Sequence, residues 1–417
     1  MMKYKILLCT PKVLMATGLK DWYEATEGNA ILITGTIINE DYLSAAKKIF
    51  KEIIQIFNYE NSDEVELVAD KKCKEYSAEG VIALSEVDVL RAARVRENNG
   101  LEGLYSSTAE VYRDKSIMIE YAKSMGIPCP KSSVVSNVIE LQDFYNKFSK
   151  KLVFKLPFGR GSSGVSVIKN HQDYCNLVRG GPFISQEVNS RFLAQEYIPY
   201  DLYRVDGVVI KGDLVLCSTA KYYSSHHNFL NGGALGSIML MPSDERHLIL
   251  KELTVKILEK ALMYDKNCIF HAEWFMSNKF ETYLCEVAIR LGGGVVNEDV
   301  KAAYNGFDIK LAYIAACFGN YENWINNQPS PVFKRITGQL GVSPNKGKLI
   351  ERPKVCGISG LISFFQRGVL GKVYTQMERT NGEVANFLFE GSTEEEVFER
   401  LKIAEEWVKS NYLWEEV

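Results

Sequence analysis

Residues 151–168 read KLVFKLPFGRGSSGVSVI and place glycines at 159, 161 and 164. The spacing satisfies G-x-G-x-x-G, a pattern shared by several unrelated phosphate sites, so its flanks must decide among them. A dinucleotide-binding turn runs from a strand into a helix whose N-terminal N–H groups receive the pyrophosphate. Here Val165, Ser166, Val167 and Ile168 follow, which reads as a second strand. A P-loop closes on Gly-Lys-Ser/Thr, and no lysine stands at that place. Strand, glycine loop, strand is instead a hairpin flap able to fold over nucleotide phosphates, with the backbone at Gly161 and the hydroxyls of Ser162 and Ser163 as donors. An ordinary exposed hairpin turn has the same composition. Lys155 favours the flap, because a lysine in an apolar strand needs a partner and a phosphate supplies one.

Residues 268–294, CIFHAEWFMSNKFETYLCEVAIRLGGG, carry the second constellation. They read as two strands joined at Asn278 and Lys279. In that register Leu284 lies across from Glu273 and Glu286 across from His271, so the two glutamates are diagonal neighbours on one face. Carboxylates sharing a face repel unless a cation or proton lies between them. Their oxygens, bridged to phosphate, suit Mg²⁺. Arg290 points the same way and can hold a phosphoryl oxygen bidentately. Gly292, Gly293 and Gly294 allow backbone to approach a ligand. The plain alternative is a solvated hairpin face with a surface ion pair. His271 shares the face by parity and reads as a supporting residue rather than a ligand.

Working outward, 417 residues suggest two or three domains, and a net charge of −3 disfavours broad nucleic-acid binding. No stretch approaches the roughly 20 apolar residues of a membrane span. The N-terminal MMKYKILLCT reads as a strand rather than a leader. Nine cysteines scattered without C-x-x-C point to reduced thiols in the cytoplasm, not a disulfide frame or zinc cage. Up to about Tyr112 the apolar runs YKILLCT, AILITGT, VELVA and VIAL alternate with helical stretches, including DYLSAAKKIFKEIIQIF with Leu43, Ala46, Phe50, Ile53 and Phe57 on one stripe. This punctuation predicts a parallel sheet. A helix follows at about 115–125, strands dominate 152–198, and a helix covers 248–264. NQPSPVF at 327–333 reads as a linker. The tail alternates short strands and ends in the helix EEEVFERLKIAEEWVKSNYL. YYSSHHNFLNGGALGS, with His226 and His227, reads either as a lid over an acceptor or as a polar loop.

Taken together, these motifs resemble the ATP-grasp superfamily, in an order that can be followed from about Glu86 to near the C-terminus. The resemblance is to its three-domain, biotin-carboxylase-like branch, and within that branch to carboxylate–amine ligases acting on amino acids. It implies an α/β chain, α+β in the ATP-grasp region: a Rossmann-like parallel-sheet domain over 1–113, an ATP-grasp fold of two subdomains over 114–320 and a small domain over 321–417. RDKSIMIEYAKSMGIPCPK is similar to the segment that opens the nucleotide-binding domain, with Lys115 in the lysine's place, and FKLPFGRGSSG to the lysine strand and flap, with Lys155 on phosphate. LAQEYIPYD is similar to the inter-lobe hinge, which implies that Gln195, Glu196, Tyr197 and Ile198 meet adenine. Asp201 would replace the ribose carboxylate, since Leu202 stands near its usual place. Lys221 matches a base that contacts phosphate, Glu273 and Glu286 the metal ligands, and Arg290 the arginine behind them. Where the family commonly has Glu-x-Asn-x-Arg, this chain reads EVAIR, so Ala288 replaces a third ligand. The resemblance implies ATP and Mg²⁺, with Mn²⁺ the alternative metal, and an amino acid joined to an amine through an acyl phosphate. A carrier-protein thiol is the alternative acceptor, and an ATP-binding module without turnover the non-enzymatic reading. Dimers are common in the branch, but no residue pattern here establishes one.

Overall fold

The computed structural model describes residues 3–148, 151–161, 163–184, 191–375, 377 and 382–417, with the side chain of His227 excepted. Strands β1 (Lys5–Leu8), β2 (Ala30–Gly35), β3 (Glu52–Ile56) and β4 (Val81–Ala83) form a sheet in the order β3-β2-β1-β4, paired in parallel throughout. All six residues of β2 are buried, as in parallel strands covered on both faces. The strand order reverses at β1, so the carboxyl ends of β1 and β4 flank the crevice where such sheets bind ligands. Glu86 lies just beyond β4.

Two elements of this region differ from expectation. The stretch 41–57 is not one helix: the helix Glu40–Ala46 stops and β3 follows. Phe57, expected on the buried stripe, is 86% exposed. The β-branched Ile53, Ile54 and Ile56 pair with Leu32, Ile33 and Gly35 of β2, and that pairing outweighs the 3–4 spacing. VELVA lies in the helix Glu64–Tyr76, where Val65, Ala69 and Cys73 recur at four-residue intervals on the buried side.

Strands β5 (Ser132–Val135), β6 (Leu152–Lys155), β7 (Ser166–Ile168) and β8 (Phe192–Glu196) form an antiparallel sheet in the order β5-β8-β6-β7. The region expected to be mostly strand also contains the helix His171–Arg179, whose N-terminus Asn170 caps by accepting from the Asp173 amide. The helices contribute Leu141, Phe144, Tyr145 and Tyr174 to the core beneath this sheet.

The remaining strands are β9 (Asp201–Ile210), β10 (Asp213–Tyr222), β11 (Ala234–Met239), β12 (Cys268–Met276), β13 (Thr282–Ala288), β14 (Ile336–Val342), β15 (Gly347–Glu351), β16 (Leu361–Gln366), β17 (Val373–Tyr374), β18 (Ala385–Gly391) and β19 (Leu413–Glu415). Eight of them make one antiparallel sheet, β13-β12-β9-β10-β11-β14-β18-β16, and the others the small sheet β17-β15-β19. One part of the large sheet's core, with Val209, Phe270 and Trp274, packs on Leu250, Ile257 and Leu258 of the helix Glu245–Leu262. Val208, Ile210 and Ile269 pack instead with the helix Ile309–Cys317, whose cluster continues to Trp22 and Ala25 of the first unit. The expected terminal helix ends at Asn411, and β19 closes the described chain by pairing with β15. Among the described residues no helix is long and apolar enough to cross a membrane.

Candidate active site

The β12–β13 hairpin does not turn at Asn278 and Lys279 alone. Phe280 adopts a left-handed φ of 62°, and the Ser277 amide donates to the Glu281 carbonyl at 2.9 Å, so Thr282 stands opposite Met276. A bulge then shifts the pairing between Trp274–Leu284 and Glu273–Glu286, leaving Cys285 as the extra residue. Glu273 and Glu286 are therefore directly opposite each other rather than diagonal. Neither the longer turn nor the bulge has a sequence marker here, which is why period-two reasoning missed the register while keeping the shared face.

Like charges directly opposite destabilise a hairpin unless compensated. Lys115 Nζ lies 3.0 Å from Glu286 Oε2. The Tyr222 hydroxyl donates to Glu273 Oε1, with His226 Nε2 at 3.6 Å and His271 Nε2 at 3.7 Å from the same oxygen. Burial works to raise the Glu273 carboxyl, yet His226, His271 and Tyr222 outweigh it and hold the group well below the usual carboxylate range. Burial likewise opposes ionisation of Glu286, and Lys115 and Arg290 prevail over it and over the repulsion from Glu273. Both groups are thus acceptor-only oxygens at neutral pH. Among the described residues no group of three or more His, Cys, Asp or Glu forms a metal cage. The pair offers part of a coordination sphere, of the hard oxygen type that suits Mg²⁺ bound to phosphate oxygens.

Lys115 opens the helix Lys115–Ser124, capped by Asp114, which accepts from the Ser116 and Ile117 amides. Its ammonium also donates to the Gly159 carbonyl at 2.8 Å, at the root of the glycine loop. Lys155, at the end of β6, is buried and donates to Gln195 Oε1 at 2.8 Å. Burial lowers its pKa despite nearby Cys285, Glu286 and Glu273. The other end of that amide, Gln195 Nε2, is buried with no partner among the described residues. Such a donor costs roughly 1–3 kcal/mol unless a ligand completes it. In the loop, Gly161 and Gly164 take left-handed φ of 55° and 69°, and the Ser163 amide donates to the Arg160 carbonyl at 3.1 Å. Ser162 lies outside the described residues. Arg160 Nη2 reaches Glu60 Oε2 of the first unit at 3.2 Å, beside a cavity of about 320 Å³ that Arg91 and Arg113 also line.

Arg290 donates through Nε to Glu86, which also accepts from Arg113 at 2.5 Å. Burial opposes ionisation of Glu86, but the two guanidinium groups hold it charged. Arg290 is therefore anchored to the crevice end of β4. Of the expected hinge residues, Glu196 ends β8 and Tyr197 and Ile198 lie on the connection to β9; the Glu196 amide donates to the Lys131 carbonyl at 2.8 Å, and Lys169 Nζ sits 5.4 Å from the Tyr197 ring centroid.

Asp201 and Lys221 fall outside this cluster. They form an ion pair with each other at 2.7 Å, and Lys221 stands opposite Tyr203, itself opposite Trp274. By strand parity Tyr222, not Lys221, shares the face of Glu273. Sequence reasoning missed Tyr222 and Arg113 and gave Glu86 no role. The alternation of STAKYY and the position of Glu86 after a buried parallel strand were the available signals. His226 stands on the short helix His226–Leu230 with its ring against Tyr222, while the side chain of His227 lies outside the described residues.

No family model matches the chain. A curated protein, the L-arginine-specific L-amino acid ligase of Bacillus subtilis, is 24% identical over 229 residues, 54% of each chain, so the match spans about half the length of that relative. Among solved structures, the L-amino acid ligase from Bacillus licheniformis superposes with a TM-score of 0.73 at 16% identity, covering 99% of both chains. The biotin carboxylase domain of Hydrogenobacter thermophilus 2-oxoglutarate carboxylase, solved with ADP, its magnesium salt and bicarbonate, gives 0.68 at 16% identity, covering 100% of this chain and 91% of that one. These likenesses, at 16% identity, concern the fold alone.

Proposed function

From a chain with the three-domain ATP-grasp architecture, we propose an ATP-dependent carboxylate–amine ligase that activates an amino-acid carboxylate as an acyl phosphate, couples it to an amine and releases ADP and phosphate. The observation that carries this reading is the cross-strand pair Glu273–Glu286 beneath a glycine flap, with Lys115 spanning the two. A carboxylate is a poor electrophile at neutral pH, and phosphorylation supplies a leaving group. The protein's task is to align two anions while cancelling their repulsion.

In this reading Glu273 and Glu286 hold Mg²⁺, which when bound neutralises phosphate charge. Lys115 and Lys155 face the phosphates. Gln195 Nε2, without a partner among the described residues, donates to an acceptor nitrogen of the purine, and the Glu196–Ile198 backbone flanks it. Gly161, Ser162 and Ser163 close the flap and exclude water from the acyl phosphate. Arg290, held by Glu86, faces the reacting carboxylate from the crevice of the first sheet. Lys221 and Asp201, on the other face, receive no role in the transfer. The carboxylate and amine partners are small molecules, the location is cytoplasmic, and the homodimer of the branch is the working oligomeric state. A screen of phosphate release over pairs of amino acids and amines, with mass analysis of the products, tests the proposal. ATP bound but unhydrolysed with every pair would refute turnover. A mass shift only on a phosphopantetheinylated carrier would replace the amine by a thiol.

A further inference from the structure

Beneath Glu273 lies a buried polar network that transfer chemistry alone does not require. His271 on β12 stands opposite Asp206 on β9, and its Nδ1 is 2.7 Å from Asp206 Oδ1. The other Asp206 oxygen accepts from Arg204 Nη1 at 2.6 Å. Arg204 also donates to Ser237 Oγ at 2.9 Å and to the Asp299 carboxylate, which in turn accepts from Thr337 Oγ1 at 2.5 Å. Arg204, Asp206 and Asp299 are fully buried. Burying a guanidinium between two carboxylates is weak evidence for stability, because apolar residues of similar volume commonly do as well or better. What the network does provide is a rigidly held Asp206.

That rigidity has one outlet. With Nδ1 committed to Asp206, the imidazole is fixed and Nε2 is directed at Glu273 Oε1, 3.7 Å away. His271 pairs across the hairpin with Ala288, whose methyl group has no polar atom to compete for the carboxylate. Gly292 belongs to the same arrangement: a Cβ there would sit 2.6 Å from Asp206 Oδ1 and 2.6 Å from Val296 Cγ1, so only glycine lets the chain close over the carboxylate between them. One of the three consecutive glycines thus serves Asp206 rather than a ligand directly.

We propose that Asp206 and His271 are a positioning pair, anchored by Arg204 and Asp299 and admitted by Gly292, that holds the Glu273 carboxylate in the orientation a nucleotide-bound divalent cation requires. The inference rests on the metal reading of Glu273 and Glu286. Partners that orient a metal ligand typically change metal affinity about 10- to 100-fold when removed. The test is Mn²⁺ binding in the presence of a non-hydrolysable ATP analogue, followed by electron paramagnetic resonance, for the wild-type protein, His271→Ala and Gly292→Ala. Gly292→Ala crowds Asp206 Oδ1 and Val296 without contacting the imidazole, and it carries the test should His271→Ala not fold, with Val296→Ala in the same background relieving the second contact so that the loss tracks Asp206. The expected result is an apparent Mn²⁺ dissociation constant raised at least about 10-fold in folded variants. The Mg²⁺ concentration for half-maximal phosphate release should rise with it, while the rate at saturating Mg²⁺ falls far less. Folded variants that bind Mn²⁺ as the wild type does overturn the positioning pair and leave the ligase reading intact. A wild-type protein that binds no Mn²⁺ with the nucleotide overturns both.

Discussion

Glu286 is a quarter exposed and ion-paired to Lys115, whereas Glu273 is 10% exposed and surrounded by a tyrosine and two histidines. The two carboxylates are thus charged for different reasons, and they respond differently to substitution. Glu286→Gln keeps shape and removes one negative charge from a like-charged cross-strand pair. The protein should stay folded by circular dichroism while ATP-dependent phosphate release falls by about 10²–10³-fold, the scale of losing one preorganised electrostatic contact. Normal release in that variant would sink the metal assignment. A second residue reports on the first unit. Burial raises the Asp88 carboxyl to about 6, against the partial opposition of Arg91, whose Nη1 lies 3.2 Å away. Since the folded state binds this proton more tightly than the unfolded one, its contribution is greatest below the unfolded value of 3.8 and is lost as pH rises through the folded value. Denaturant titrations should find roughly 1–2 kcal/mol less stability at about pH 8 than at about pH 5 from this group, and Asp88→Asn should remove that component of the slope.

Among the elements, the strands of the β12–β13 hairpin were legible because Cys268–Met276 is an apolar run interrupted only by His271 and Glu273. The bulge at Cys285 was not, since an extra residue in a ladder is decided by what the neighbouring strand presents. The helix Lys115–Ser124 was also legible, closing on Gly126 and Pro128. Its N-terminus matters to the site because Lys115 is its first residue, and the Asp114 cap fixes that turn. Asp114→Ala should cost about 1 kcal/mol of stability and raise KM for ATP as the turn carrying Lys115 loosens. An unchanged KM alongside the stability loss would separate the cap from nucleotide binding. The stretch 41–57 teaches the converse. Its 3–4 spacing was real, yet the run Glu52–Ile56 pairs with β2 as a partly exposed edge strand, because its β-branched isoleucines favour the ladder.

Over the whole molecule, the large sheet runs without interruption from β13 to β16 and crosses the proposed boundary at residue 320 through the pairing of β11 with β14. Ala234 and Ile238 of β11 share a core cluster with Leu340, Phe387 and Leu401. A chain ending at residue 320 would leave the edge of β11 unpaired and that cluster open, an arrangement prone to association. It should be recovered as aggregate, and a soluble monomeric fragment in size-exclusion chromatography would refute this account of the C-terminal segment. The sequence by itself predicted the strand–glycine loop–strand segment, Lys155 in its apolar strand, the first parallel sheet and two carboxylates on one face, because those follow from local alternation, glycine placement and charge in apolar strands, whereas Lys115 and the three-part architecture came from the family resemblance. Only the tertiary structure decided that the carboxylates stand directly opposite, that Arg290 is held by Glu86 and Glu273 backed by His271 and Asp206, and that Lys221 faces away. Each of these depends on register and on contacts between strands far apart in the chain, which a period-two pattern leaves open.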